Sequence, residues 1–170
     1  MKYTSAEAAK LLRKLNEEQT AIKEKEKKTS WFVVALEEDV ESVRPEYDYQ
    51  EVQTRLAFLE EKVRKVKHAI NMFNMTTVVP GFDMTVDQML VYIPQLNERK
   101  SKLVQLAGRL PKERYDSSRY GQKTLVEYKY ANYDIRKAEE DLAKVTDELA
   151  RAQTALDVVN NSETLEIELD

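Results

Sequence analysis

Four stretches of this chain place apolar residues every three or four positions, and that rhythm limits it to a helical fold before anything else is weighed. The clearest runs through Val52, Leu56, Leu59, Val63, Val66, Ile70 and Phe73, alternating by four and three over three heptads. A helix with such a seam presents one apolar stripe along its whole length and needs a partner helix to cover it. At about 1.5 Å per residue, its roughly 26 residues span nearly 40 Å. Ala8, Leu12, Leu15 and Ile22 mark a second helix, with Gln19 interrupting the stripe. Val86, Met89, Ile93, Leu96, Leu103, Ala107 and Leu110 mark a third, with Lys100 on the stripe and Pro94 predicting a kink or a break after two turns. Ile135, Ala138, Leu142, Val145, Leu149, Ala152, Leu156 and Val159 mark the fourth.

Local chemistry sets where these helices begin and end. Thr4-x-x-Glu7 and Thr85-x-x-Gln88 have the form of capping boxes, and Asp48-x-x-Glu51 resembles one with Asp as the cap. Residues 23–28, Lys-Glu-Lys-Glu-Lys-Lys, suit a solvated helix C-terminus. Val79-Pro80-Gly81 predicts a turn, and Asn71, Asn74, Asn160 and Asn161 predict left-handed caps on the outer helices. Residues 31–36 are aromatic and β-branched, which favours a short strand, and residues 37–45 are a polar, acidic connector. Residues 111–123 predict a loop rich in charge and tyrosine. Residues 124–131 alternate, with Val126, Tyr128 and Tyr130 on one side, as a half-exposed strand or else a helical start. Pairing this stretch with residues 31–36 gives a small two-stranded ribbon. Leu165, Ile167 and Leu169 alternate with acids, as an edge strand or a frayed tail.

Superposing the two halves suggests a duplication. A shift of 81 residues carries Thr4 onto Thr85, Glu7 onto Gln88, Leu12 onto Ile93, the triplet Leu15-Asn16-Glu17 onto Leu96-Asn97-Glu98, and Ile22 onto Leu103. A shift of 86 carries Leu56 onto Leu142, Leu59 onto Val145, Val63 onto Leu149, Ile70 onto Leu156 and Phe73-Asn74 onto Val159-Asn160. Heptad helices align with one another readily, which accounts for the apolar matches but not for the shared cap or the triplet. The expected architecture is a mainly α fold in one domain spanning residues 1–170. It is an antiparallel bundle of coiled-coil-type hairpins from two pseudo-repeated helix–connector–helix halves, 4–78 and 85–164, with a small two-stranded β-ribbon.

Ile70-Asn71-x-x-Asn74-x-Thr76, the following Gly81, the helix start at Thr85 and the Leu156…Asn160 ending resemble a small group of uncharacterised bacterial proteins labelled septicolysin-like. The resemblance covers the last two-thirds of the chain and implies a helical fold with no established activity. The cytolysin chemistry of that label implies a thiol, and this chain has no cysteine.

Composition narrows the chemistry further. Without cysteine there is no disulfide, thiolate nucleophile or Cys-based metal site. A net charge of −4 opposes non-specific coating of nucleic acid. The N-terminal residues lack a signal-peptide core, and residues 31–36 are too short an apolar run to span a bilayer. A cytoplasmic protein without a membrane association is expected. His68 is the only histidine; it lies off the apolar stripe among Arg64, Lys65 and Lys67, where a surface residue is a better reading than a metal ligand or general base. The three glycines are isolated, so there is no phosphate-binding loop. Glu37-Glu38-Asp39 and Glu139-Glu140-Asp141 read as solvated faces rather than an acid–base pair. No cofactor, metal or catalytic residue is expected.

Three recognition features remain. Lys62, Arg64, Lys65 and Lys67 form a basic helix face. Arg109, Lys112, Arg114, Tyr115, Arg119, Tyr120 and Lys123 mix cations with aromatic rings, the combination that base stacking with phosphate contact requires. With an acidic total, however, a solvated helix face and a tyrosine-pinned loop are the plainer reading of the two basic sets. Tyr47, Tyr49, Tyr128, Tyr130 and Tyr133 are candidates for a protein-binding patch or for packing of the ribbon onto the helices. The expectation is a non-enzymatic scaffold or protein-interaction protein that self-associates or binds another protein. A nucleic-acid-associated module using residues 109–123 comes second, and an enzyme with a carboxylate or metal site third.

Overall fold

The computed structural model describes residues 1–115 and 126–169. In chain order its elements are β1 (Lys2–Thr4), α1 (Ser5–Thr29), α2 (Val40–Val43), α3 (Tyr49–Thr76), β2 (Val78–Val79), β3 (Met84–Thr85), α4 (Val86–Ala107), β4 (Lys112–Tyr115), β5 (Glu127–Tyr130), α5 (Ile135–Ser162) and β6 (Thr164–Glu166). The fold is mainly helical, as the periodicity predicts, with small two-stranded antiparallel sheets. The chain divides into two compact units, Met1–Thr77 with Val158–Asp170, and Val78–Asp157.

In the first unit, α1 begins where the capping box predicts. The Glu7 amide donates to Thr4 Oγ1 at 3.2 Å, and the Thr4 amide donates to Glu7 Oε2 at 2.8 Å. Two of the orphan amides of the first turn are thereby satisfied. Asp48 caps α3 by accepting from the Glu51 amide at 3.0 Å. The two helices form an antiparallel hairpin whose register is visible in its polar rim. Gln19 donates to Glu60 at 3.1 Å, Arg55 pairs with Glu18 at 2.6 Å, and Gln53 donates to Glu26 at 2.7 Å. These groups are mostly exposed, so they fix orientation more than they add stability. Stability comes from the stripe: Ala8, Leu15, Leu56, Leu59, Val66 and Phe73 are all buried. β1 pairs with β6 in the register Lys2↔Glu166, Tyr3↔Leu165 and Thr4↔Thr164, and buries Leu165. The tail is thus a paired strand, the first of the two readings its alternation allows.

The second unit opens with the β2–β3 hairpin, Val78↔Thr85 and Val79↔Met84. The Val79-Pro80-Gly81 turn forms as expected. Gly81 sits at φ 83° and Asp83 at φ 49°, both in the left-handed region, and the Phe82 amide donates to the Val79 carbonyl at 3.3 Å. Thr85 then caps α4 as Thr4 caps α1, with the reciprocal bonds to Gln88 at 3.3 and 2.9 Å. The two cap residues share the backbone conformation, φ −70° and ψ 160° against φ −71° and ψ 162°. Thr85→Ala is expected to cost about 1 kcal/mol, read as a lower urea midpoint with an unchanged slope. A midpoint equal to wild type would mean that the cap is redundant. Asp134 accepts from the Arg136 amide at 3.0 Å and so caps α5. Tyr92 donates to Glu148, tying α4 to α5 in antiparallel orientation together with the bond from Tyr133 to the Leu106 carbonyl. Glu148 holds the Tyr92 phenol above its ordinary pKa, first through this hydrogen bond and then through partial burial. Tyr92 therefore remains a donor at neutral pH.

Five expectations are corrected. Residues 31–36 belong to no sheet, and β5 pairs with β4 instead, in the register Lys112↔Tyr130, Glu113↔Lys129, Arg114↔Tyr128 and Tyr115↔Glu127. Closing a hairpin between strands close in the chain costs about 2 kcal/mol less entropy than joining segments some 90 residues apart. Lys112–Tyr115 is accordingly strand rather than loop. Pro94 does not split α4, which runs unbroken through it. Pro94 is exposed, so water can take the carbonyl its ring leaves unpaired. The asparagines do not cap the outer helices: α3 continues to Thr76 and α5 to Ser162, and Asp83 is the only non-glycine with positive φ among the described residues. α3 leads directly into β2, which needs an extended residue after it, and Thr77 supplies one at φ −84° and ψ 119°. Leu110, placed on the α4 stripe, lies beyond the helix end and is exposed.

Candidate functional site

Buried side chains are concentrated towards the strand-bearing ends of both hairpins. Between Leu15 and Leu56 no side chain is buried, and in the second unit none is buried among the described residues between Leu96 and Ala138. A two-helix hairpin cannot fully cover its own stripe, so side chains towards its tip remain half-wet. The connectors sit at these tips and carry most of the candidate recognition residues, whereas Tyr49, Lys62, Arg64, Lys65 and Lys67 lie on α3.

The second connector carries the more ordered group. β4 and β5 form a ribbon with both faces largely exposed. Strand alternation places Lys112 and Arg114 on one face, directly opposite Tyr130 and Tyr128. The Lys112 ammonium lies over the Tyr128 ring at 4.1 Å from its centroid and near Tyr130 at 5.5 Å. The other face holds Glu113, Tyr115, Glu127 and Lys129, with the Lys129 ammonium 4.2 Å from the Tyr115 centroid. Cation–π contacts at exposed sites contribute about 0.5–1 kcal/mol each, enough to order the side chains on each face. Among the described residues the first face therefore presents two cations and two phenol rings without a carboxylate. Lys112 and Arg114 make no ion pair among the described residues.

Of the predicted surface, the ribbon gathers Lys112, Arg114 and Tyr115, although Tyr115 faces away from the other two. Arg109 is exposed just beyond α4 and belongs to neither strand. Arg119, Tyr120 and Lys123 lie outside the described residues. Sequence reasoning singled out Tyr128 and Tyr130 but assigned their strand another partner. The alternation that could have located β4 is charged and aromatic, so no apolar period marks it.

The first connector is chemically opposite. Between Glu37 and Asp48 it carries six carboxylates against Arg44 alone, which Glu41 already holds at 2.7 Å. That contact lowers the Glu41 pKa, through the hydrogen bond first and the opposite charge second. Just before these acids, Trp31 and Val33 are exposed while Phe32 and Val34 are half-buried. This alternation has the two-residue period of an extended chain. Leu36 is fully exposed and Trp31 is 70% exposed, a large apolar surface for a connector.

Tyr47 is half-buried and donates to Glu26 at 2.8 Å, whereas Tyr133 donates to the Leu106 carbonyl at 2.7 Å. Each pins the end of a connector to its neighbouring helix. Desolvation and then the Glu26 carboxylate raise the Tyr47 pKa, so it too remains a donor at neutral pH. Tyr49 is exposed on α3. The pairs Tyr47-Asp48 and Tyr133-Asp134 stand 86 residues apart, each a connector pin followed by a helix cap, a signal present in the sequence but not used.

His68 is exposed on α3, and Lys65 beside it pairs with Glu61 at 3.0 Å. Among the described residues no cluster of three or more His, Asp or Glu is arranged to hold a metal. No helix among them is long and apolar enough to cross a membrane. A polar cleft lies beneath the first connector, lined by Glu26, Glu46, Tyr47, Glu51 and Arg55; Tyr47 donates to Glu26 within it, and Arg55 is held from outside by Glu18.

No family model matches the chain, and no curated protein does. Its fold is similar to that in the crystal structure of a functionally unknown conserved protein from Corynebacterium diphtheriae, with a TM-score of 0.61 and 18% sequence identity over 98% of this chain and all of that one. The likeness extends over the whole chain and is one of fold.

Proposed function

We propose that this chain is a non-enzymatic, self-associating interaction protein of the cytoplasm, a helical scaffold built from two related units that present recognition elements at their tips. The observation that carries the reading is the exposed ribbon face of Lys112, Arg114, Tyr128 and Tyr130, where rings stand beside cations that have no carboxylate partner among the described residues. Tyrosine and arginine are enriched where proteins bind one another. The half-buried stripes of the hairpins towards their tips favour the same reading.

Duplication of residues 4–78 as 85–164 is part of the proposal, and the strand registers support it. Under the 81 and 86 offsets, Thr4↔Thr164 corresponds to Thr85↔Val78, and Tyr3↔Leu165 corresponds to Met84↔Val79. Buried positions correspond as well: Ala8 with Met89, Leu15 with Leu96, Leu59 with Val145, Val66 with Ala152 and Phe73 with Val159. Each unit thus pairs a strand before its inner helix with a strand after an outer helix.

Sedimentation velocity across a wide range of concentrations tests the reading. Concentration-dependent growth in mass is the expected result, and a strict monomer throughout would overturn it. The ribbon face also suits a single-stranded nucleic acid, which stacks on aromatic rings and pairs its phosphates with cations. Salt-sensitive retention of a single-stranded oligonucleotide, lost in Lys112→Glu with Arg114→Glu, would favour that second reading.

A further inference from the structure

The two connectors of one chain are complementary in chemistry, and we propose that the ribbon of one copy docks on the acidic, tryptophan-bearing connector of a second copy. This inference rests on the self-association proposed above and names its surfaces. The ribbon face supplies Lys112 and Arg114 with no described carboxylate partner, beside Tyr128 and Tyr130. The connector supplies exposed Glu37 and Asp39 beside exposed Trp31, Val33 and Leu36. Each surface lacks what the other offers. The cations gain carboxylates in a partly desolvated contact, and the tryptophan gains rings and an ammonium to pack against.

Strand geometry adds a second element to the fit. Residues 31–35 alternate between exposed and half-buried positions yet join no sheet, and among the described residues the ribbon has two strands, each with one unpaired edge. An extended segment can add to such an edge through its backbone, with alternate side chains setting specificity. The predicted partnership of residues 31–36 with 124–131, not formed within the chain, thereby becomes a contact between copies. The two surfaces differ from one another: exchanged reciprocally about a two-fold axis they close an isologous dimer, whereas a single head-to-tail contact is heterologous and extends to a ring or filament. One ribbon face is small beside the roughly 800 Å² per partner of a standard stable interface. The association is therefore weak and salt-sensitive.

Two charge-reversed variants of the full chain test the pairing, Lys112→Glu with Arg114→Glu, and Glu37→Lys with Asp39→Lys. All four side chains are exposed, and circular dichroism checks that each variant keeps its helicity. Each variant alone is expected to associate about tenfold or more weakly than wild type, whereas an equal mixture of the two regains most of the loss. Trp31 is the only tryptophan in the chain and reports the contact directly. Its emission should shift to the blue as wild type is concentrated, and the ribbon variant should show no shift. Association of wild type with unaffected variants and a silent Trp31 would overturn the pairing while leaving self-association intact. Absence of association at every concentration would overturn both. Loss of oligonucleotide binding in the ribbon variant without any effect on association would assign the ribbon to nucleic acid and overturn the pairing as well.

Discussion

Leu96→Ala is expected to destabilise the protein by about 2–5 kcal/mol, whereas Leu90→Ala on the same helix should change stability by no more than about 0.5 kcal/mol. Leu96 is 2% exposed and Leu90 is 49% exposed, although they are only six residues apart on α4. The difference comes from the stripe: Val86, Met89 and Leu96 are buried on one side, and Leu90 and Val91 face water. Truncating Leu96 removes transfer free energy and leaves a cavity, whereas Leu90 is half in water and its truncation leaves no enclosed cavity. Urea unfolding followed by circular dichroism measures both. Similar losses for the two variants would mean that α4 buries a different face.

Ile167→Ala is expected to cost about 2–5 kcal/mol despite its place just beyond the last strand. Ile167 is 2% exposed, and its amide donates to the Met1 carbonyl at 2.9 Å. It therefore extends the β1–β6 ladder by one more contact while filling an apolar site. Leu165, two residues earlier, is also buried, as the alternation of a one-sided strand requires. Glu166 lies between them and faces Lys2 at 3.8 Å in water, so Glu166→Ala should change stability by no more than about 0.5 kcal/mol. Hydrogen exchange of the amides of β1 distinguishes local from global loss. Faster exchange confined to Lys2–Thr4 would show that the strand pair opens alone. A fall in protection across the chain is the expected result.

The helices were legible because their signals are local. A cap needs three residues and a stripe needs a few turns, and Thr4, Asp48 and Thr85 all cap as their neighbours predict. The sheets were much less so. β2 and β3 are two residues each, too short to show a period, and β1 finds its partner β6 at the opposite end of the sequence. The ribbon was half legible: its second strand alternates visibly, whereas Lys112–Tyr115 reads as loop because none of its first three residues is apolar. Residues 31–36 were expected to form a strand on composition alone, and composition does not name a partner. For the recognition surface, the clustering of cations with tyrosines was visible. Which of them share a face depends on the pairing of β4 with β5, which separates Lys112 and Arg114 from Tyr115.

Sedimentation velocity of the full chain from about 1 to about 500 μM, at low and at high salt, is the decisive measurement for a weak, charge-dependent self-association. A weight-average mass that rises with concentration at low salt and falls back towards 19.8 kDa at high salt is the predicted result. A single species at 19.8 kDa at every concentration and both salt levels would contradict it.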